Sequence, residues 1–418
     1  MSQETHKLIL VLNCGSSSLK GALLDSENGE LVLSCLAEKL TTPEAYITFN
    51  YFENPKVQLV GRRSWFVNKV NGERHRVELT EKNDHTGAVE ALLEELKAHD
   101  LQGLVVAIGH RVVHGGEKYS GSVLITDDVI NTLEECIPLA PLHNPANLDG
   151  IRVAMEIFPD LPQVAVFDTA FHQTMPPRAF LYAIPYELYE QDRVRRYGFH
   201  GTSHRFVAGE CARLLGRPLE GCNLITVHLG NGCSMTAIEN GVSIDTSLGM
   251  TPLEGLVMGT RSGDVDPALH LFLKQNKGME LEAIDALLNK ESGLKGLCGM
   301  NDMRDIHRAA EAGDRRAAIA LEVQTYRNRK YLGAYMAVLG RVDAIVFTAG
   351  IGENDAVVRA ESLRGLEHLG VVLDGGRNSE RSREARCISS EASRVRVFVI
   401  PTNEELAIGR ETVAVVRG

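Results

Sequence analysis

The 418-residue chain has no Cys-x-x-Cys pair, a single tryptophan, no long apolar run and no excess of basic charge. Each shortage excludes something. The eight cysteines, at 14, 35, 136, 211, 222, 233, 298 and 387, are scattered, so neither a zinc ribbon nor a dithiol redox site is expected. No stretch approaches the ~20 apolar residues of a membrane span. The opening Met-Ser-Gln-Glu-Thr-His-Lys lacks the apolar segment of a signal peptide. Against 55 acidic side chains there are 44 basic ones, a formal net charge of −11. The broad basic surface that nucleic-acid binding needs is missing, and small anions can be held only where positive groups gather in a cleft. A soluble cytoplasmic enzyme is expected, with no nucleic acid and no membrane among its partners.

What is present suits a globular α/β protein: 44% hydrophobic and 24% charged residues, in a chain long enough for two or three domains. The apolar segment Leu8 to Leu12 runs into Asn13-Cys14-Gly15-Ser16-Ser17-Ser18. A second segment, Leu19 to Leu24, is followed by Asn28-Gly29, a strong hairpin signal, and by a third, Leu31 to Leu36. The same order returns two hundred residues later. Leu224 to Leu229 leads into Gly230-Asn231-Gly232-Cys233-Ser234, then Met235 to Ile238, Asn240-Gly241 and Val242 to Ile244. Matching turn chemistry at both corners of both units points to an internal duplication. Val105 to Ile108, Val164 to Phe167 and Ala344 to Thr348 read as buried strands. Helices are expected over Val89 to Lys97, from an N-capping Ser203 to Leu215, and over Asp314 to Leu339 before Gly340.

Several segments could carry chemistry. Gly15 to Lys20 is not a P-loop, because Lys20 precedes Gly21 within an apparent strand. A tight turn of small residues can still present backbone N–H groups to phosphate, although a serine-rich turn without a ligand explains the segment equally well. Arg111 lies just beyond a strand end, where open α/β sheets place ligands. The histidine pairs 110/114 and 200/204 have i, i+4 spacing but lack the glutamate of a zincin motif. Arg261, in Gly259-Thr-Arg-Ser-Gly-Asp264, gives the second half its own arginine beside glycines, and such a pair fits an anion clamp. Asp168 ends a buried strand, where a turn aspartate is the plainer reading. Gly350-Ile351-Gly352-Glu353-Asn354 follows the last apolar strand as a glycine-rich turn. Thr402 and Glu405 form a capping box, leaving Glu404 free to face a ligand or metal-bound water.

Taken together, these segments resemble the acetate kinase family. The resemblance rests on Val11-Leu-Asn-Cys-Gly-Ser-Ser-Ser-Leu-Lys20, Gly109-His-Arg-Val-Val-His-Gly-Gly-Glu117, Ala140-Pro-Leu-His-Asn-Pro145, Phe167-Asp-Thr-Ala-Phe-His172 and Tyr197-Gly-Phe-His-Gly-Thr-Ser-His204. It continues through His228-Leu-Gly-Asn-Gly232, Thr251-Pro-Leu-Glu-Gly-Leu256, Gly259 to Asp264, Gly350 to Asn354 and Pro401-Thr-Asn-Glu-Glu405, in family order along the whole chain.

The resemblance implies the actin-like, sugar-kinase and Hsp70 (RNase H-like) fold. It would have two domains of duplicated topology, 1–169 with 405–418 for the acyl group and 170–404 for the nucleotide, with the active site in the cleft between them. It implies a homodimer that transfers phosphate reversibly between ATP and acetate with Mg²⁺, or Mn²⁺. By the family's pattern, Asn13 and Glu404 stand on the metal side, with Ser16, Ser18 and Lys20 near the phosphates. Arg111, His200 and Arg261 would stabilise the moving phosphoryl group, Asp168 would orient the reacting groups, and His143 would lie nearby. His228, Leu229 and the Gly230–Asn231–Gly232 turn would hold phosphates, and Gly350, Ile351, Gly352, Glu353 and Asn354 the adenosine. The acyl pocket falls on Val113, Leu142, Phe199 and Pro252, next to Arg111. Cys233 and Ala349 stand where glycine is usual, and 299–305 says nothing about chemistry. The alternatives are a propionate kinase of the same family and a non-catalytic nucleotide switch of the actin or Hsp70 type. A Rossmann oxidoreductase lacks its Gly-x-Gly-x-x-Gly turn.

Overall fold

The computed structural model describes residues 7–52, 75–141 and 143–418. Packing divides the chain into two compact units, Met1–Ala170 with Asn403–Gly418, and Phe171–Thr402.

The first unit is built on β1 (Leu8–Gly15), β2 (Ser18–Asp25), β3 (Leu31–Glu38), β4 (Tyr46–Tyr51), β5 (His75–Glu78), β6 (Val105–Val112), β7 (Val123–Leu124) and β8 (Gln163–Phe167). They lie in the order β5-β4-β3-β2-β1-β6-β8-β7. The second unit has β9 (Leu224–Leu229), β10 (Cys233–Glu239), β11 (Val242–Thr246), β12 (Ala344–Thr348), β13 (Arg386–Cys387) and β14 (Arg396–Val399), in the order β11-β10-β9-β12-β14-β13. Without their outer strands the two sheets are the same object. Each begins with an antiparallel meander of three strands, and each adds two parallel strands beyond the first. The duplication read from turn chemistry thus extends to strand order and direction, and the fold is the two-domain α/β architecture of the actin-like kinases.

The corners form where the backbone is free to turn. Asn240 and Gly241 sit at φ 49° and 82°, the pair of left-handed residues that a two-residue hairpin requires. At the equivalent corner of the first unit, the Asp25 carboxylate accepts the N–H groups of Glu27 and Asn28 at 2.8 and 3.2 Å. The first hairpin is longer than its apolar run suggests. Asn13, Cys14 and Gly15 pair with Lys20, Leu19 and Ser18, so the turn shrinks to Ser16-Ser17. Backbone pairing does not need apolar side chains, and the alternation of faces continues through Asn13 and Cys14.

That alternation fixes the layers. Leu8, Leu10, Leu12 and Cys14 enter a core with Val89, Leu92 and Leu96 of the His85–Ala98 helix and Ala154 of the Asn144–Ile157 helix. Ile9, Val11, Ala22, Leu24, Ala107, Val164 and Val166 face the other way, packed with Ile408 of the C-terminal helix Glu404–Arg417. Gly109 lets that helix seat on β6: a Cβ there would lie 2.2 Å from Thr412 Oγ1 and 2.9 Å from Ile408 Cγ2.

In the second unit, Val207, Ala208 and Cys211 of the Gly201–Leu214 helix pack with Leu224, Ile238, Ala344 and Val346. The long Arg315–Leu339 helix starts where Asp314 accepts the N–H groups of Arg316 and Ala317, and stops at Gly340. Ser203 does not cap its helix. It lies inside, and His200 takes the capping position in the left-handed conformation at φ 57°. Among the described residues no helix is long and apolar enough to cross a membrane.

Candidate active site

In the first unit the polar candidates follow from the same alternation. On the face covered by the C-terminal helix, the apolar rows Ile9–Val11, Ala107–Gly109 and Val164–Val166 end in Asn13, Arg111 and Asp168. Lys20 pairs with Asn13 across the hairpin. The strands therefore turn polar where the C-terminal helix begins, and its first residue is Glu404. Arg111 donates to Asp168 through Nε at 3.0 Å and Nη2 at 2.7 Å, a bidentate pair, while Nη1 lies 3.9 Å from Glu404 Oε2. Burial works against the Arg111 charge, but Asp168, Glu404 and Glu405 outweigh it and push its pKa up. The cap of the C-terminal helix is Asn403, whose side chain accepts from Leu406 N–H at 2.9 Å, rather than the Thr402–Glu405 box.

Two buried asparagines hold the chain leaving β6. Asn147 accepts from Val113 N–H at 3.0 Å and donates to the Cys14 carbonyl at 2.7 Å, tying the ends of β6 and β1. Asn144 accepts from His114 N–H and donates to the His114 carbonyl. Val113 is buried, and His143 sits half-buried at the start of the same helix. The Ser16-Ser17 turn is tethered by His85, whose ring nitrogen bonds the Gly15 carbonyl at 2.7 Å. Leu142 lies outside the described residues.

In the second unit, β9 ends in His228 and Leu229, and the Gly230–Gly232 turn joins it to β10. The turn is tight: Gly230 N–H donates to Gly232 O at 3.0 Å, and Gly259 N–H donates to Asn231 O at 3.1 Å. A Cβ on Gly232 would lie 3.4 Å from both Arg261 Nη1 and His200 Nε2, so those two side chains flank the turn. The rings of His200 and His228 stack at 4.2 Å.

Arg261 differs from Arg111 in one respect. Its Nη1 donates to the Pro252 carbonyl at 3.0 Å, but among the described residues no carboxylate pairs with it. Burial lowers its pKa. A half-buried guanidinium without an acidic partner is a poised anion receptor. Its loop is braced from outside. Arg196 bonds Glu254 at 2.6 Å and the carbonyls of Thr246, Ser247 and Leu248, and Tyr182 donates to Glu254 at 2.5 Å. Phe199 is buried, and its carbonyl meets His172 Nε2 at 3.0 Å.

Gly350 to Asn354 is a short helix, Ala349–Asn354, rather than a turn, and Ala349 enters it at φ 64°. Arg359, 1% exposed, donates from Nη1 to the Gly352 and Glu353 carbonyls at 2.9 Å each, satisfying the last carbonyls of that helix. Glu353 accepts from Thr402 N–H at 3.1 Å, and burial raises its pKa. The 299–305 segment is a helix junction: Asp302 caps the Met303–Glu311 helix.

Arg111, Asp168, Asn13 and Lys20 thus share one sheet face of the first unit, with Glu404 at the start of the helix that covers it. His200, Arg261, His228 and Gly230–Gly232 form a cluster in the second. The acyl-pocket candidates divide, with Val113 in the first unit and Phe199 and Pro252 in the second. Sequence reading missed Asn144, Asn147, Arg196 and Arg359. The Asn-Pro-x-Asn spacing of 144–147 was the available signal for the first two, whereas the arginines had none. Among the described residues, no group of three or more His, Cys, Asp or Glu could hold a metal ion. Asn13 and Glu404 offer two oxygen donors, which fits a hard cation that takes its remaining ligands from phosphate and water.

This fold, carrying a Gly-Asn-Gly turn under an arginine and a histidine, defines a phosphotransferase of the actin-like class. The acetokinase family profile matches residues 8–410. The acetate kinase of Desulfotalea psychrophila is 54% identical over 417 residues, covering 98% of this chain and 99% of that protein. Among solved structures, Porphyromonas gingivalis acetate kinase matches with a TM-score of 0.90 at 43% identity, covering 98% of this chain and 100% of that one. A propionate kinase from Francisella tularensis subsp. tularensis gives 0.88 at 44% identity, covering 97% and 99%. The chain belongs to the acetokinase family.

Proposed function

We propose that this chain transfers the γ-phosphoryl group of ATP reversibly to acetate, giving ADP and acetyl phosphate, by direct in-line displacement. A carboxylate is already nucleophilic at neutral pH, so no general base is needed. The obstacle is bringing an anion against polyanionic ATP. The observation that carries the reading is Arg261, a half-buried guanidinium with no carboxylate partner among the described residues, beside the Gly230–Gly232 turn and His200. Such an arginine accelerates phosphoryl transfer by about 10³–10⁵. Arg111, kept charged and oriented by Asp168, supplies the second guanidinium, with His143 close to the acyl group. Ser16, Ser18 and Lys20 serve the phosphates from the first unit. His228, Leu229 and Gly230 to Gly232 serve them from the second, and Gly350 to Asn354 receive the adenosine. The first unit is the acyl side and the second the nucleotide side.

Mg²⁺, or Mn²⁺, would be held by Asn13 and Glu404 together with phosphate oxygens, and it supplies charge neutralisation on the nucleotide. Val113, Leu142, Phe199 and Pro252 shape the acyl pocket. One methylene is worth only about 1–3 kcal/mol, so acetate is preferred and propionate tolerated. The enzyme works in the cytoplasm as a homodimer. Supporting the dimer, the Ala268–Lys277 helix buries none of its residues within one chain and exposes Leu271 and Phe272, with Leu281 exposed on the next helix. Trapping acyl phosphate with hydroxylamine across acetate, propionate and butyrate tests the function. The reading expects the highest kcat/KM with acetate. No trapped product with any acid would overturn it, and a propionate preference would overturn the pocket reading.

A further inference from the structure

Behind His200 runs a line of buried polar groups that the roles above do not use. Ser234 Oγ lies 2.8 Å from His200 Nδ1 and 2.7 Å from His204 Nε2. The other ring nitrogen of His204, Nδ1, lies 2.7 Å from Thr226 Oγ1. Ser234, His204 and Thr226 are fully buried.

Proton counting gives this line a direction. The Thr226 hydroxyl has one hydrogen-bond partner among the described residues, His204 Nδ1. If it accepted there, its own proton would be buried without an acceptor, at a cost of about 1–3 kcal/mol. It therefore donates. His204 is held neutral, its pKa pushed well below the usual range by burial and by His172 and His228. With Nδ1 accepting, its single proton lies on Nε2 and goes to Ser234 Oγ. The Ser234 hydroxyl then donates its own proton to His200 Nδ1, and the His200 proton must lie on Nε2. That nitrogen flanks the Gly230–Gly232 turn beside Arg261.

We propose that Ser234 and His204 are positioning residues that hold His200 with its proton on Nε2, aimed at the transferring phosphoryl group, through a one-way chain of hydrogen bonds from Thr226. The inference rests on the phosphoryl-transfer reading for its purpose, though not for its geometry. The chain makes His200 a donor without giving it a charge. It also fixes the ring that stacks on His228. His200 itself takes the left-handed conformation at φ 57°, so the hydroxyl bridge orients a side chain whose backbone is already constrained.

Two measurements test this. The first is the histidine tautomer in the resting wild-type protein, read from two-bond ¹H–¹⁵N correlation spectra, with the His200 signals assigned by their loss in His200→Asn. The expected result is a neutral ring protonated on Nε2. Protonation on Nδ1 would overturn the proposal, with His200→Asn needed only to assign the signals. The second is kinetic. Ser234→Ala is expected to lower kcat by about 10–100-fold, the usual effect of removing a group that orients a functional ligand. KM for ATP and acetate should stay within about twofold, and Ser234→Thr, which keeps the hydroxyl, should recover most of the rate. Unchanged kcat in folded Ser234→Ala would also overturn it. Wild-type protein with the Nε2–H tautomer but no acyl phosphate would sink the proposed function and leave the relay standing. An active enzyme with the opposite tautomer would sink the relay alone.

Discussion

Replacing each arginine by alanine should have different consequences for stability, because only one of them has an acidic partner. Asp168, whose side chain is 3% exposed, loses both bonds of its bidentate pair in Arg111→Ala. Breaking a buried pair from one side costs about 3–5 kcal/mol. Arg111 is 21% exposed, so water can reach part of the gap and the lower end applies. In Arg261→Ala the loss is one donor to the Pro252 carbonyl, worth about 1 kcal/mol. Removing a cation that burial disfavours offsets part of it. Urea unfolding followed by circular dichroism reads the difference. With a slope of about 3 kcal/mol per M, the Arg111→Ala midpoint for the first unit should fall by roughly 1 M, and that of Arg261→Ala by far less. Both variants should lose about a thousandfold or more in kcat. Equal midpoints, or a less stable Arg261→Ala, would refute the claim that one guanidinium is internally paired and the other held for substrate.

Three further outcomes follow from single residues. His110 is buried against Gln163 at 2.7 Å, and burial lowers its pKa to about 4. Its folded-state pKa lies below the unfolded value near 6.5, so its contribution is intact above pH 6.5 and disappears as pH falls from there towards 4. The total is about 3 kcal/mol, and His110→Gln should flatten urea midpoints over that window. Gly109→Ala should lower the first-unit midpoint by the equivalent of about 1–3 kcal/mol, since the new methyl overlaps Thr412 and Ile408. Ala349→Gly should raise stability by about 0.5–1 kcal/mol, because φ 64° suits glycine, and a fall would show that the left-handed residue carries no strain.

The duplicated architecture was legible because turn residues act locally: Asn240-Gly241 must turn wherever it stands. Strand ends were less so. Asn13 to Gly15 read as a turn, since the apolar run stops at Leu12, yet the ladder continues through backbone groups whatever the side chains are. Caps failed for a related reason. Ser203 and Thr402 have the chemistry to cap helices, but their hydroxyls bond each other at 2.9 Å. Arg111 and Arg261 stood out as arginines beside glycines. That the first has a carboxylate partner and the second does not depends on which strand lies beside β6, and no local pattern carries that. The same holds for Asn147, whose amide reaches a carbonyl 133 positions away, and for Arg359, which looks like any helix arginine until the chain folds over it.

Stereochemistry at phosphorus tests the central claim most directly. ATP made chiral at the γ-phosphoryl group with oxygen isotopes is turned over with acetate, and the configuration of the acetyl phosphate is read out. Inversion is predicted, because in the proposed reaction the carboxylate would attack the γ-phosphorus itself, and Arg261, Arg111 and His200 would act only as donors. Retention would mean two successive displacements through a phosphorylated side chain, and would contradict the account.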